Sequence, residues 1–308
     1  MSKSVITDSL LTAIADAIRG KTGDEGTLTP AEMAQAIDDI PAGAEEPYVE
    51  YTLDEQLGVN FTGAVFHGFT KIPRFFSHHT SLSRGSLAHV DIPEGVTEIC
   101  DYAFVYDSLS HGITLPDSLR VIGTHSFEGC SLPGIVLPDG LESIDAATFQ
   151  NCQLLQSCTI PAGIQSITSG SLFMYCSALT SINFPSAWTA IGNDCFAGCT
   201  HLAITEIPAH VTEIGNRAFQ TCTALTSLDI MGAVSIYNNA FSGCTGLTEV
   251  RFHDTAVSIS STAFKNDTAL RDIYVPWASG SVSGAPWGAT NASIHYNTQY
   301  DSEGNIIT

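Results

Sequence analysis

The stretch AFQTCTALTSL (residues 218–228) returns almost unchanged as AFSGCTGLTEV (240–250) and again as AFKNDTALRDI (263–273). The copies begin 22 and then 23 residues apart. Self-similarity at a fixed period of this length indicates a solenoid, in which each repeat forms one coil and the coils stack on one another. The copies therefore predict that this part of the chain is a stack of coils.

Columns of apolar residues extend the repeat in both directions. An apolar residue, usually followed by proline, recurs at steps of 22 to 24 residues from Ile92 to Val275, and a second column runs from Ile99 to Ile259. A third column is aromatic, with Leu172 taking that place in one coil beside Phe173: Phe104, Phe127, Phe149, Phe196, Phe219, Phe241 and Phe264. No coil can bury these side chains alone, so we expect neighbouring coils to cover them.

Nine cysteines occur, and six of them form a column of their own. They follow the aromatic column by three residues, and Asp107 and Asp267 replace them in the outermost coils: Cys130, Cys152, Cys176, Cys199, Cys222 and Cys244. Free cysteine commonly behaves as a small buried hydrophobe. We therefore predict a column of buried, reduced thiols.

The segment before each proline alternates apolar and polar residues. In LTSINFP (179–185), Leu179, Ile182 and Phe184 are apolar and Asn183 is polar. A period of two predicts a strand, and proline ends the strand because it has no N–H to donate. The sequence thus predicts one strand per coil, with coils stacked about 4.8 Å apart so that the strands form a parallel sheet.

The full pattern L-x-x-I-x-I-P-x-x-V-x-x-I-x-x-x-A-F-x-x-C-x-x-L resembles the BspA-type leucine-rich repeat over about residues 72–297, in eight copies. The resemblance implies an α/β, mainly β fold, a leucine-rich-repeat solenoid of about eight coils built on a parallel sheet. It also implies an adhesion or interaction surface, because such repeats serve that purpose in many unrelated proteins.

Both ends of a solenoid need a cap. We assign residues 50–91 to an N-terminal cap with a degenerate repeat, 92–276 to the repeats, and 277–308 to a C-terminal cap and tail. Trp277 and Trp287 are large enough to cover the last coil. Residues 298–308 are expected to form a loose tail.

Residues 1–43 differ from the rest and are predicted to form a small helical hairpin. We expect Asp8 and Thr29 to be N-cap residues, Pro30 to take the first helical position, and residues 44–49 to form a linker. This opening resembles a short segment at the start of bacteriophage tail and appendage structural proteins. It has too little to bury against within itself, so we expect an assembly-docking role for its apolar residues: Leu11, Ile14, Ile18, Met33 and Ile37.

Charge and hydropathy exclude several functions. The chain carries 32 acidic and 11 basic residues, a net charge of −21. Such a surface repels nucleic-acid phosphates and anionic lipid. There is no stretch of 18 apolar residues to span a membrane, and the N-terminus has no secretory signal. We expect neither nucleic-acid binding nor membrane insertion.

The sequence lacks the common metal-binding and catalytic motifs. There is no C-x-x-C or H-E-x-x-H motif, and His78 and His79 are adjacent, so on a strand they would face opposite sides. Glu206 and Asp229 are predicted to lie in register, but a flat sheet offers no cleft for paired carboxylates. We predict no metal, no cofactor and no enzymatic activity.

The exposed strand positions, one per coil, remain as the candidate recognition surface. They alternate with core residues and are expected to line one continuous face: Asp91, Thr114, Val136, Thr159, Asn183, Glu206, Asp229, Arg251 and Tyr274. Tyr274 beside Arg251 is the strongest candidate hot spot by residue type.

Three functions compete. The first is a bacteriophage virion component, which docks to other virion proteins or to copies of itself through residues 1–43 and turns its repeats to a host surface protein or glycan. The second is a bacterial cell-surface or secreted adhesin of the BspA kind. A glycan-degrading enzyme ranks last. The missing signal sequence and the free cysteines favour the virion, because a virion assembles in the reducing cytoplasm.

Overall fold

A computed structural model of the chain describes residues 3–7, 48–53, 61–73, 87–164 and 170–307. These residues form stacked coils with two short strands in most coils, which confirms the predicted β-solenoid. None of the described residues forms a helix long and apolar enough to cross a bilayer. The predicted helical hairpin, with its docking residues Leu11, Ile14, Ile18, Met33 and Ile37, lies outside the described residues.

One strand of each coil belongs to the predicted parallel sheet, which we call the face sheet. Its register places Asp91 opposite Thr114, Val136 opposite Thr159, and Arg251 opposite Tyr274. The pairing is interrupted between the second and third strands and between the fifth and sixth strands. In chain order the strands are His89–Asp91, Ile113–Thr114, Ile135–Val136, Ser157–Thr159, Ser181–Ile182, Glu206–Ile207, Ser227–Ile230, Glu249–Phe252, Asp272–Tyr274 and Ser293–His295.

A second parallel sheet, the side sheet, was not predicted. The sequence predicts one strand per coil, but the isoleucine column also forms strands, and each is only two residues long. A two-residue strand is too short to show alternation in the sequence, which explains the difference. The side-sheet strands are Lys71–Ile72, Glu98–Ile99, Val121–Ile122, Ser143–Ile144, Ala190–Ile191, Glu213–Ile214, Ser235–Ile236 and Ser258–Ile259.

The aromatic column forms a continuous stack in the core, at a corner of the coils that we call the Phe corner. Neighbouring rings lie 5.2–5.7 Å apart and within 16° of parallel. Phe173, and not Leu172, occupies the stack in its coil. Phe173 follows Pro161 by twelve residues, whereas Phe219 follows Pro208 by eleven, so this coil is one residue longer before the corner.

The backbone at the Phe corner bonds each coil to the next. Phe219 N donates to Ala240 O at 2.7 Å, and Thr221 N donates to Ser242 O at 2.9 Å. Residues two positions before and after the phenylalanine have positive φ, among them Arg217 at 56° and Thr221 at 58°. This conformation is unusual for residues other than glycine, and here the hydrogen bonds between coils hold it.

The N-terminal cap includes more of the chain than the sequence predicts. Lys3–Thr7 forms a strand that pairs antiparallel with Tyr48–Leu53, which pairs antiparallel with Phe61–His67. Phe61–His67 then pairs in parallel with the first face-sheet strand, His89–Asp91. The first residues of the chain are therefore part of the cap sheet, although residues 1–43 were assigned as a whole to the helical segment.

The C-terminal cap contains the predicted tryptophans and an additional hairpin. Trp277 and Trp287 are buried, with ring centroids 5.3 and 6.4 Å from that of Phe252. The loose tail expected for residues 298–308 is wrong for residues 299–307. Gln299–Tyr300 pairs antiparallel with Ile306–Ile307, and the Tyr300 ring centroid lies 4.2 Å from that of His253.

Replacing Gly198 by alanine should destabilise the protein. An added Cβ would lie 2.3 Å from Cδ1 of Tyr175 in the preceding coil, and φ of Gly198 is +77°. We expect a loss of about 1–3 kcal/mol in the free energy of unfolding, because the well-packed corner resists the extra atom.

Urea unfolding of Gly198→Ala measures this loss, with Gly134→Ala as the control, because a Cβ there meets nothing within 4 Å. The loss should shrink when Tyr175→Ala is added, since the clash is then removed. Equal stability of the two single variants would contradict the proposed packing of Tyr175 on Gly198.

Candidate recognition surface

Six of the nine predicted face positions are exposed, and they lie on or directly after the first six strands of the face sheet. Asp91, Thr114, Val136, Thr159 and Glu206 all point away from the core, and Val136 is 86% exposed. Their strand neighbours are buried in four of the five strands, and Ile113 beside Thr114 is partly buried against the core. This part of the sheet is an open surface in the described structure.

Asn183 is exposed but has a structural role. Its Oδ1 accepts a hydrogen bond from Ile160 N, and its Nδ2 donates to Ile160 O, both at 2.8 Å. The side-chain amide therefore takes the place of a backbone strand pairing at the end of Ser181–Ile182. Asn183 consequently has less hydrogen-bonding capacity left for a partner than its position in the column suggests.

The predicted hot spot, Arg251 and Tyr274, lies in a part of the face sheet whose side chains contact one another and the C-terminal hairpin. Arg251 and Tyr274 are half-buried, as is Asp229. Arg251 forms an ion pair with Glu249, and Asp229 Oδ1 lies 2.7 Å from His253 Nε2. The C-terminal hairpin packs against this cluster through Tyr300, a contact that the sequence did not suggest because the repeat pattern ends before it.

His295 is a face-sheet residue that the sequence analysis missed. It lies opposite Tyr274 in the register, and the two rings stack with centroids 4.4 Å apart. Its Nε2 is 2.7 Å from Asp272 Oδ1. The only signal in the sequence is SIHYN (293–297), whose alternation resembles a strand although no proline follows it.

Burial changes the ionisation of the tyrosines in this cluster. Burial, together with the Asp229 carboxylate, raises the pKa of Tyr300 to about 12. Burial also raises the pKa of Tyr274, with further contributions from Asp272 and Glu249. Both phenols therefore stay protonated over the physiological range and can act as hydrogen-bond donors.

The cysteine column is buried and hydrogen-bonded, and all nine cysteines are free. In each of six coils the cysteine Sγ donates to the carbonyl oxygen of the preceding coil's stacked phenylalanine at 2.9–3.1 Å, as from Cys222 to Phe196. Desolvation raises the pKa of Cys152 and Cys199 to about 12. These thiols therefore stay protonated at physiological pH, and little of the reactive thiolate form is present.

Asp267 closes the cysteine column at its C-terminal end. Its Oδ1 accepts a hydrogen bond from Cys244 N at 2.8 Å, and its Oδ2 is buried without a partner. Desolvation raises the pKa of the carboxyl from 3.8 to about 8. The folded protein therefore holds this aspartate in its protonated form at neutral pH.

The described residues contain no group of three or more histidine, cysteine, aspartate or glutamate side chains that could hold a metal ion. His78 and His79 lie outside the described residues. Glu206 and Asp229 are opposite each other in the sheet register, as expected. Asp229 is bonded to His253, so the two carboxylates have different surroundings.

Thiol reagents should distinguish the native from the unfolded protein. Native protein should react slowly with a disulfide reagent at pH 8, because eight of the nine cysteines are buried. In denaturant without reductant all nine should titrate. Cys100, which is half-buried, should react before the others. Recovery of several disulfides from the purified protein would contradict the hydrogen-bonded thiol column.

Asp267→Asn should change how stability depends on pH. The carboxyl pKa is raised in the folded state, so its protonated form stabilises the fold below about pH 4, and this contribution is lost as the pH rises to about 8. The asparagine variant does not lose this contribution, so its free energy of unfolding at pH 8 should exceed that of the parent by a few kcal/mol. At pH 4 the two proteins should have nearly the same free energy of unfolding. Melting curves across this range test the prediction, with the exposed Asp139→Asn as control. A pH-independent difference would contradict it.

Comparison with known proteins assigns the chain to a family. A model described as "BspA type Leucine rich repeat region" matches it in six copies, over residues 78–172 and 168–283. No curated protein matches the chain.

Among solved structures, the chain is similar to a leucine-rich repeat protein from Bacteroides ovatus, with 18% identity, a TM-score of 0.45, and coverage of 80% of this chain and 88% of that chain. It is similar to a leucine rich cell surface protein from Faecalibacterium prausnitzii, with 27% identity, a TM-score of 0.46, and coverage of 68% of this chain and 64% of that chain. The leucine-rich repeat protein of T. pallidum shares 24% identity, with a TM-score of 0.43 and coverage of 71% of this chain and 86% of that chain.

The family model extends over residues 78–283 of 308, and its repeats are those that stack as coils. The chain therefore belongs to the BspA-type leucine-rich repeat family.

Proposed function

We propose that the protein is a non-enzymatic recognition protein that acts as an adhesin at a bacterial cell surface. The observation that carries this proposal is the open part of the face sheet, where one side chain per coil is exposed from Asp91 to Glu206. Strand pairing keeps Asp91 beside Thr114 and Val136 beside Thr159. Family membership supports it, because BspA-type repeats are used as interaction surfaces. The partner is a protein or glycan on another cell.

The exposed face residues are small, and they are suited to a broad, flat contact. Thr114 and Thr159 offer hydroxyl groups, Val136 an apolar side chain, and Asp91 and Glu206 negative charge. A solenoid presents such positions at a regular spacing of about 4.8 Å per coil, which suits an extended partner. The net charge of −21 favours a partner surface with positive or neutral character.

A bacteriophage virion component remains the alternative. Its support is the resemblance of residues 1–43 to phage structural proteins, and those residues are described only at 3–7, where they form a cap strand. From the sequence alone the free cysteines favour assembly in a reducing compartment, but they do not distinguish the virion from the cell surface. Thiols that are buried and hydrogen-bonded resist oxidation outside the cell as well, so their reduced state fits either location.

Disrupting the open face should weaken binding to cells. Val136→Arg places a long cation in the middle of this face and should reduce binding of the labelled full-length protein to cultured epithelial cells by about tenfold or more. Val257→Arg is the matched control, because Val257 is also an exposed valine, 71% exposed, and lies outside the face-sheet strands.

Flow cytometry measures the bound protein, and antibody labelling of intact bacteria that make the protein tests its location. Equal binding by both variants would refute the face sheet as the recognition surface. Labelling of phage particles in a cleared lysate, with none on intact bacteria, would refute the cell-surface location in favour of the virion.

A further inference from the structure

A notch opens on the side sheet where three successive coils differ from their neighbours. The position directly after the side-strand isoleucine is glycine in two adjacent coils, Gly192 and Gly215, and tyrosine in the third, Tyr237. These residues line a cavity of ≈ 230 Å³ together with Asn193, Glu213 and Asn216. Glycine at position 215 lets its coil approach the preceding one closely, and the tyrosine forms one wall of the cavity.

The floor of the notch is rigid. A Cβ on Gly215 would lie 2.8 Å from Asn193 N, so the two coils are in close contact there. Asn193 Oδ1 accepts hydrogen bonds from Asn216 N at 2.7 Å and from Asn216 Nδ2 at 3.0 Å. Asn216 Oδ1 in turn accepts from Asn238 N at 3.2 Å. This ladder of amides fixes the side chains before any ligand arrives, which lowers the entropic cost of binding.

Three polar groups at the notch are left for a ligand. Within the described part of the chain, none of the residues bonds to Nδ2 of Asn193, the carboxylate of Glu213 or the hydroxyl of Tyr237. Tyr237 is 43% exposed, so one part of its ring is open to solvent. One small cavity thus combines the amide donor of Asn193, the carboxylate of Glu213 and the phenol ring of Tyr237.

We propose that this notch binds one neutral sugar ring of a glycan. A pyranose offers hydroxyl groups for the amide and the carboxylate, and an apolar C–H face for the tyrosine ring, which itself combines an apolar body with a polar tip. The cavity is smaller than the roughly 300–1,000 Å³ of pockets for drug-sized ligands, and a single ring suits it. The site lies on the side sheet, so it goes beyond the face-sheet function proposed above.

The charges at the notch exclude anionic ligands. Glu213 is acidic, and no lining residue is basic. The cation nearest in sequence, Arg217, has its guanidinium paired with Asp194 through Nε–Oδ1 and Nη2–Oδ2 contacts of 2.7 and 2.8 Å. An acidic sugar or a phosphate would therefore meet repulsion without compensation. Neutral hexoses and N-acetylhexosamines are the expected ligands.

Saturation-transfer NMR and titration of the full-length protein with methyl glycosides of glucose, galactose, mannose and N-acetylglucosamine test the proposal. At least one should bind with a dissociation constant on the order of 1 mM, as for a small, open site. Tyr237→Ala should weaken that binding at least tenfold. Tyr175→Ala, which removes a similarly exposed tyrosine outside the notch, should leave it unchanged.

Glu213→Gln provides a second test that is independent of the aromatic wall. It keeps the shape of an exposed side chain, so the fold should be unaffected, as a melting curve will verify. Neutral glycosides should bind several-fold more weakly, and glucuronate, which the parent excludes, should begin to bind. The proposal is overturned if no neutral glycoside binds, if Tyr237→Ala binds as the parent does, or if glucuronate binds the parent equally well. Val136→Arg should bind the glycoside normally, so the two proposals can fail separately.

Discussion

The hydrogen bonds between neighbouring coils are the constraint on which the rest of this structure depends. At the Phe corner a coil donates to the coil that follows, as Phe104 N does to Ser126 O at 2.8 Å. At the side sheet the direction is reversed, and Gly123 N donates back to Ile99 O at 2.8 Å. A coil therefore cannot slip against its neighbour without losing bonds on both sides, and buried backbone groups left unpaired are costly. This explains why the repeat length stays within 22 to 24 residues.

The register set by these bonds decides which side chain each position accepts. Phenylalanine carbonyls face the interior of the stack, and a thiol donor three residues into the next corner satisfies them without adding bulk. Tyr106 and Tyr175 project over glycines of the following coil, Gly129 and Gly198, where any Cβ would clash. A coil with such a tyrosine therefore requires glycine at the facing position of the next coil. Coils of similar sequence are not interchangeable, and their order along the chain matters for stability.

The sequence predicted the parts of the fold that repeat, because repetition makes them visible. The face sheet, the aromatic core and the cysteine column follow from residue spacing alone. The side sheet was missed because strands such as Glu213–Ile214 are too short to alternate, and the displacement of Leu172 by Phe173 came from one extra residue in that coil. The hairpin at 299–307 and the notch beside Tyr237 depend on contacts between residues that share no sequence pattern, so only the folded structure shows them.

The two candidate surfaces differ in the way that the solenoid builds them. The face sheet repeats one exposed position in each coil from Asp91 to Glu206. Its contact area grows with the number of coils, while each residue contributes little. The notch depends on a departure from the repeat, two glycines followed by a tyrosine, and it can arise at one place only along the described coils. A broad surface and a single small site on different sheets can act on one extended partner without competing. Weak binding at the notch would then add to contacts along the face, because the second contact becomes intramolecular once the first has formed.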